Sequence, residues 1–157
     1  MIFLSNTWKQ ITPLITNNFE VEKILGIPER KFFDVEYSHS IHLELWSYDE
    51  LAVSVYLKDG KVHFISIVPN SKNNIPSDGE DWLYALGLSE EPNFLKSNMS
   101  KNGCVKIFAQ KGLALHIDCP DATKNKFGIV DLIEIFPSMS LENYLINFYK
   151  ETVHLEH

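Results

Sequence analysis

Cysteine is scarce in this chain: Cys104 and Cys119 are the only two among 157 residues. No Cys-x-x-Cys or Cys/His set occurs and no pair of histidines stands at i, i+4, so the spacings that hold zinc are missing and no metal is expected. No apolar run approaches the ~18 residues that suggest a membrane span. Met1-Ile2-Phe3-Leu4 is too short for a signal peptide and has no basic start, which predicts a cytoplasmic protein. Positive charge is also short, with Lys+Arg 14 against Asp+Glu 21 and a formal net charge of −7. That balance argues against nucleic acid and against an anionic membrane surface, and it suits a basic protein partner. Gly and Pro stand at 7 each, with no low-complexity run. The closing Leu155-Glu156-His157 reads as the start of a vector-derived histidine tag and is set aside.

What is present is a stretch over residues 41–69 that reads as a three-stranded antiparallel meander. Its second turn, Asp59-Gly60, is the strongest hairpin signal in the chain. A second such stretch follows over 103–137, with Gln110-Lys111-Gly112 as a three-residue turn. The expected strands are 41–47, 51–57, 62–68, 103–109, 113–119 and 129–136. Helices are expected over 18–25, 78–86 and 140–150. Asn17 or Asn18 caps the first, Gly26 and Pro28 end it, and Phe19, Ile24 and Leu25 are its apolar residues. Ser77 and Glu80 have capping-box spacing before the second. Ser140 caps the third, whose buried stripe is Leu141, Tyr144, Leu145 and Phe148. Two short helical segments are expected before residue 17, capped by Ser5 or Thr12. Residues 29–40 and 89–102 read as connectors, with Phe32 and Phe33 as core plugs.

Strand register follows from grouping the aliphatic side chains. A three-residue turn at Tyr48-Asp49-Glu50 pairs Leu45 with Val53, Leu43 with Val55 and Ile41 with Leu57. The same logic pairs Ile107 with Leu115 and Val105 with Ile117, which puts Cys104 and Cys119 on opposite faces as free thiols. His42, Glu44, Trp46, Ser54 and Tyr56 then share the other face.

The two halves carry matching residues. Leu25-Gly26 returns as Leu86-Gly87, Glu29 as Glu90 and Phe33 as Phe94. Leu51-Ala52 returns as Leu113-Ala114, and Ile65-x-Ile67-x-Pro69 returns 68 positions later as Ile133-x-Ile135-x-Pro137. The expected fold is α+β: one domain over 1–154, built from two repeats at about 12–69 and 77–137, each a short helix plus a three-stranded meander, with a C-terminal helix.

The run Val21-Glu22-Lys23-Ile24-Leu25-Gly26-Ile27-Pro28, then Trp46-x-Tyr48, Leu51-x-Val53 and Asp59-Gly60-Lys61-Val62, resembles the pattern of BamE-type outer-membrane assembly lipoproteins. It is similar also to the tandem-repeat β-lactamase inhibitor proteins. The chain departs from both in lacking a lipid-bearing cysteine, an export signal and intra-repeat disulfides. Those resemblances imply a protein-binding module. Leu25-Gly26-Ile27-Pro28 and the acidic charge resemble, in turn, the type III secretion chaperones, whose pattern fits the third strand of the second meander poorly.

Catalytic patterns are thin. His116-x-Asp118 projects from one strand face and could support general-base chemistry in a small hydrolase, but no Ser or Cys nucleophile stands in a recognisable setting nearby. The expectation is therefore a non-enzymatic, cofactor-free inhibitor or toxin-immunity protein, with a secretion-type chaperone as the alternative. Trp46, its expected counterpart Phe108, Tyr56, His116 and Glu44 are the candidate partner-binding residues. Two arrangements fit that aromatic face: open to a partner, or covered by a helix as core.

Overall fold

A computed structural model describes residues 6–37, 41–86, 93–96, 103–118 and 128–148, the backbone alone at 41, 83 and 93–96. The fold is α+β. Helix α1 (Asn18–Leu25) precedes strands β1 (Arg30–Tyr37), β2 (Ile41–Tyr48), β3 (Val53–Lys58) and β4 (Lys61–Ile67). Helix α2 (Gly79–Leu86) precedes β5 (Asn93–Lys96), β6 (Gly103–Phe108), β7 (Leu113–Asp118) and β8 (Ile129–Ile135). Helix α3 (Leu141–Asn147) follows. All eight strands form one antiparallel sheet in the order β1-β2-β3-β4-β8-β7-β6-β5. The six expected strands and three expected helices are found, and β1 and β5 lie in the stretches read as connectors.

The local signals act as their chemistry requires. Asn17 caps α1 in a capping box with Glu20, each side chain bonding the other's backbone N–H. Asp59 and Gly60 both take positive φ between the paired Lys58 and Lys61, the geometry of a two-residue primed turn. Gly112 is left-handed, and a Cβ there would run into the Phe136 carbonyl oxygen, so only glycine fits. Ser140 caps α3. At α2 the Asp78 carboxylate accepts the Glu80 N–H at 2.9 Å, while Ser77 offers its carbonyl to Val130, so the cap is one residue later than expected.

Residues 6–16 are not helical, and the Ser5 cap lies outside the described residues. Trp8 and Ile11 exchange backbone hydrogen bonds around Lys9 and Gln10, both at positive φ. The following segment lies beside the β3–β4 hairpin through Leu14 N–H to Val62, Val62 N–H to Thr16 and Asn18 N–H to Gly60. Pro13 donates no hydrogen bond, and the long-range bonds displace the helix that spacing alone suggested.

Both hairpin registers differ from the aliphatic grouping. Tyr48 pairs with Val53 and Trp46 with Val55, across a link at residues 49–52 in which Ala52 has φ 53. The Glu29 carboxylate accepts the Asp49 and Glu50 N–H groups, and Arg30 and Ser47 donate to the Asp49 carboxylate, so the link is tied from outside the hairpin. In the second half Phe108 pairs with Leu113 and Lys106 with Leu115, one residue from expectation. An odd shift moves a strand's side chains to the other face. Trp46, Tyr48 and Phe108 thus join Val53, Val55, Ile65, Leu113, Leu115 and Ile133 in a core covered by Trp8, Ile11, Val21, Trp82 and Leu86. The opposite face carries Leu43, Phe64, Val105, Ile107, Ala114 and Phe136 beneath Tyr144 and Phe148 of the α3 segment. Phe32 and Phe33 are not core plugs, at 41% and 68% exposed, and Phe19 stands outward from α1 while Val21 is its buried residue. Cys104 packs beside the first core; Cys119 lies outside the described residues, as does the 155–157 tail.

The helix-plus-four-strand order occurs twice, reversed about the β4–β8 seam. Ile65 pairs with Ile135 and Ile67 with Ile133, which places a two-fold axis on the Ser66–Glu134 pair. Such an axis carries residue 65 onto 133, the displacement of 68 read from the two Ile-x-Ile-x-Pro runs. In the next strands out the displacement is 60: Val53 meets Ile67 as Leu113 meets Ile135. Irregularities fall between Tyr56 and Leu57 in one half and between His116 and Ile117 in the other, again 60 apart. Leu51 therefore does not correspond to Leu113. The counterpart of Trp46 is Lys106, that of Tyr48 is Phe108, and that of Tyr56 is His116.

Candidate functional site

The five residues expected to form a partner face do not share one. Trp46, Glu44 and Phe108 are on the first face, Tyr56 and His116 on the second. Trp46 is 2% exposed, its indole N–H donating to the Glu44 carboxylate at 2.5 Å and its ring lying 4.4 Å under the Lys31 ammonium. Phe108 and His116 are buried too. Tyr56 is half-buried and stacks on Phe64 with centroids 4.1 Å apart. Of the two arrangements left open, cover by packed chain is the one the structure adopts, so these residues offer no open aromatic patch.

The second face holds a polar centre that spacing did not reveal. Glu134 projects from the β4–β8 seam, and its Oε1 accepts the Tyr144 hydroxyl at 2.8 Å and lies 2.9 Å from His116 Nε2. Tyr37, on the outermost strand, donates to Oε2 at 3.5 Å. The His116 and Glu134 side chains are only 7% and 8% exposed. One carboxylate thus ties β7, β1 and α3 to the middle of the sheet, which is how a buried charge is tolerated. The sequence signal was the lone Glu inside Leu132-Ile133-Glu134-Ile135-Phe136, an acid in an otherwise apolar run.

The His116 Nε2 that would take a proton faces Glu134 under Tyr144. Asp131 stands near both Asp118 and His116: its carboxyl is raised by burial and by repulsion from Asp118, against a lowering influence of His116. Among the described residues no group of three or more His, Cys, Asp or Glu is placed to hold a metal ion. No helix among them is long and apolar enough to cross a membrane.

Burial raises Tyr37, Tyr48 and Tyr56 above their ordinary range. Tyr37 is moved furthest, by burial and then by the Glu134 charge. Tyr56 is raised by the same two causes. Tyr48, whose hydroxyl donates to the Gly26 carbonyl at 2.8 Å, is pushed up to about 12 by burial and then by Glu22 and Glu29. A raised folded-state value means that the unfolded chain loses these protons first, so the stabilisation is full below ~10 and falls as pH rises beyond it. The urea midpoint should therefore decline steadily between pH 10 and 12, and Tyr37→Phe should flatten that decline. A midpoint flat over that interval would show the three hydroxyls to be solvated.

Large apolar side chains do reach solvent elsewhere. Leu14, Ile15 and Phe19 are 53%, 72% and 77% exposed within six positions, on the segment bonded to the β3–β4 hairpin. Exposed Glu20 adjoins them.

No protein-family model matches the sequence, and no curated protein matches it. Three solved structures resemble the fold. The uncharacterized protein yfeY from Escherichia coli is 10% identical, covering 82% of this chain and 94% of its own, with a TM-score of 0.50. YjgB from Bacillus subtilis, a DUF4309 family protein, is 12% identical, covering 81% and 82%, at 0.46. An extracellular protein containing an SCP domain from Bacillus anthracis is 13% identical and matches 89% of this chain but 49% of its own, at 0.47. At such identities the likeness to yfeY speaks to the α+β fold alone.

Proposed function

We propose that this chain is a non-enzymatic protein-binding module, a cytoplasmic inhibitor or immunity-type protein for a basic partner. The observation that carries this reading is the exposure of Leu14, Ile15 and Phe19, three large apolar side chains left in water on one held segment. Exposed apolar patches mark interaction sites. Three backbone bonds to the hairpin and the Asn17 cap hold the segment, so little ordering entropy is lost on binding. The net charge of −7 favours encounter with a basic surface. The matched displacements of 68 and 60 support reading the two halves as copies of one ancestral unit. Strand β8, paired on both sides, is the element that the secretion-chaperone pattern fits poorly, so that reading ranks second.

The test is the double substitution Ile15→Ser/Phe19→Ser. Both side chains are solvent-facing, so the unfolding midpoint should move by under ~1 kcal/mol equivalent. Affinity for a partner bound by the wild-type chain should drop by ~2 kcal/mol or more, read by titration calorimetry. Undiminished affinity would move the binding surface elsewhere.

A further inference from the structure

We propose that the outer strand β1 is a self-complementary edge through which two copies of this chain pair. Strand β1 ends the sheet, and its first five residues are all exposed. Its sequence is polar in the directional sense: Arg30 and Lys31, then Phe32 and Phe33, then Asp34, Val35 and Glu36. Turned antiparallel on itself, the basic half of one copy meets the acidic half of the other.

The bulge selects the register. Phe32 pairs with Leu45 and Val35 with Leu43, so Phe33 and Asp34 together oppose Glu44. In a regular strand residues 32 and 35 would face opposite sides of the sheet. The extra residue puts both on the second face, with Arg30 and Tyr37, and puts Lys31 and Glu36 together on the first, opposite Trp46 and His42. A two-fold axis perpendicular to the sheet keeps each face on its own side. Only a register that sets like faces together is allowed. Setting Lys31 against Glu36 of the second copy meets this condition, and it also sets Phe32 against Val35 and Arg30 against Tyr37. The two bulges meet at the axis, where Phe33, 68% exposed, comes beside Asp34 of the second copy. A shift by one would oppose side chains from different faces. The charges already have neighbours within the chain: Lys31 lies over the Trp46 ring, Asp34 is 2.9 Å from His42 and Glu36 is 3.8 Å from it. These contacts hold the side chains at the edge with Glu36 and Asp34 69% and 83% exposed, available to a second copy. This inference does not rest on the partner-binding reading, which uses a different surface.

Sedimentation velocity over a micromolar to submillimolar series tests it. The wild-type chain should show a concentration-dependent dimer, and the β1 amides should gain hydrogen-exchange protection as dimer forms. Lys31→Glu and Glu36→Lys should each weaken association by about tenfold or more, because each sets like charges opposite one another twice per dimer. The double variant Lys31→Glu/Glu36→Lys should recover the wild-type association. A chain that stays monomeric throughout would overturn the proposal and leave the edge to a strand from a different protein. A dimer indifferent to the single changes, or one that the double variant fails to restore, would also overturn it.

Discussion

Trp46→Ala should cost ~3–5 kcal/mol of stability, the loss expected when a large buried aromatic is truncated and a cavity remains. The indole is 2% exposed and packs in the core formed by Val53, Val55, Ile65 and Leu57. Its removal also strips the Glu44 carboxylate of the indole N–H and removes the ring under Lys31. Lys31 and Glu44 reach the surface, so those two losses add little, and the cavity dominates. Urea unfolding followed by circular dichroism reads the effect without any partner. A loss under ~1 kcal/mol, the size of a surface substitution, would place Trp46 in solvent and restore the register with Leu45 opposite Val53. Phe108 occupies the place of Tyr48 in the second half and belongs to the same core, so Phe108→Ala should fall in the same range.

Glu134→Ala should cost ~2–6 kcal/mol, since the buried Tyr144 hydroxyl and His116 Nε2 both lose their carboxylate, at ~1–3 kcal/mol for each such loss. Glu134→Gln should cost less, because its amide oxygen still accepts from Tyr144. The pair Glu134→Gln and Tyr144→Phe should be non-additive, as expected of groups in one hydrogen-bonded network. The change should also loosen α3, which leans on the sheet through Tyr144 and Phe148 alongside this carboxylate. A larger rise in hydrogen exchange at Tyr144 to Phe148 than in the sheet strands would show it. Additive energies, or a loss under ~1 kcal/mol for Glu134→Ala, would mean that the carboxylate is hydrated and α3 is held by apolar contact alone.

Much of the fold was legible from local chemistry. The bounds of α1 follow from Asn17, Glu20, Gly26 and Pro28 in order, because caps and breakers act within a turn of their own position. The Asp59-Gly60 turn needs only two residues that tolerate positive φ. The stripe of α3 is a matter of spacing, and Tyr144 and Phe148 are buried where it put them. The Ile-x-Ile-x-Pro runs even carried the two-fold displacement of the seam, since residues at equal distance from an axis keep a constant offset.

Register, and with it the faces of Trp46, Phe108 and Cys104, came from contacts that no window of sequence contains. Grouping the aliphatics assumed that the aliphatic side chains gather on one side of the sheet. Both sides are packed, so hydrophobic composition no longer distinguishes them. The choice fell instead to Glu29 and Arg30, some twenty residues before the turn they hold at Asp49. Strand β1 escaped notice because its bulge at Phe33 and Asp34 breaks the period of two and its exposed faces leave no apolar alternation. Glu134 was visible only as an acid out of place. Tyr37, His116 and Tyr144 become its partners when strands more than ninety residues apart are laid in one sheet and α3 is folded across them. The sequence by itself determined where elements begin, end and turn, because those depend on backbone geometry a few residues long. The tertiary structure decided which side chains share a face and which polar groups meet, because one residue of strand slip, settled by distant contacts, exchanges the two faces.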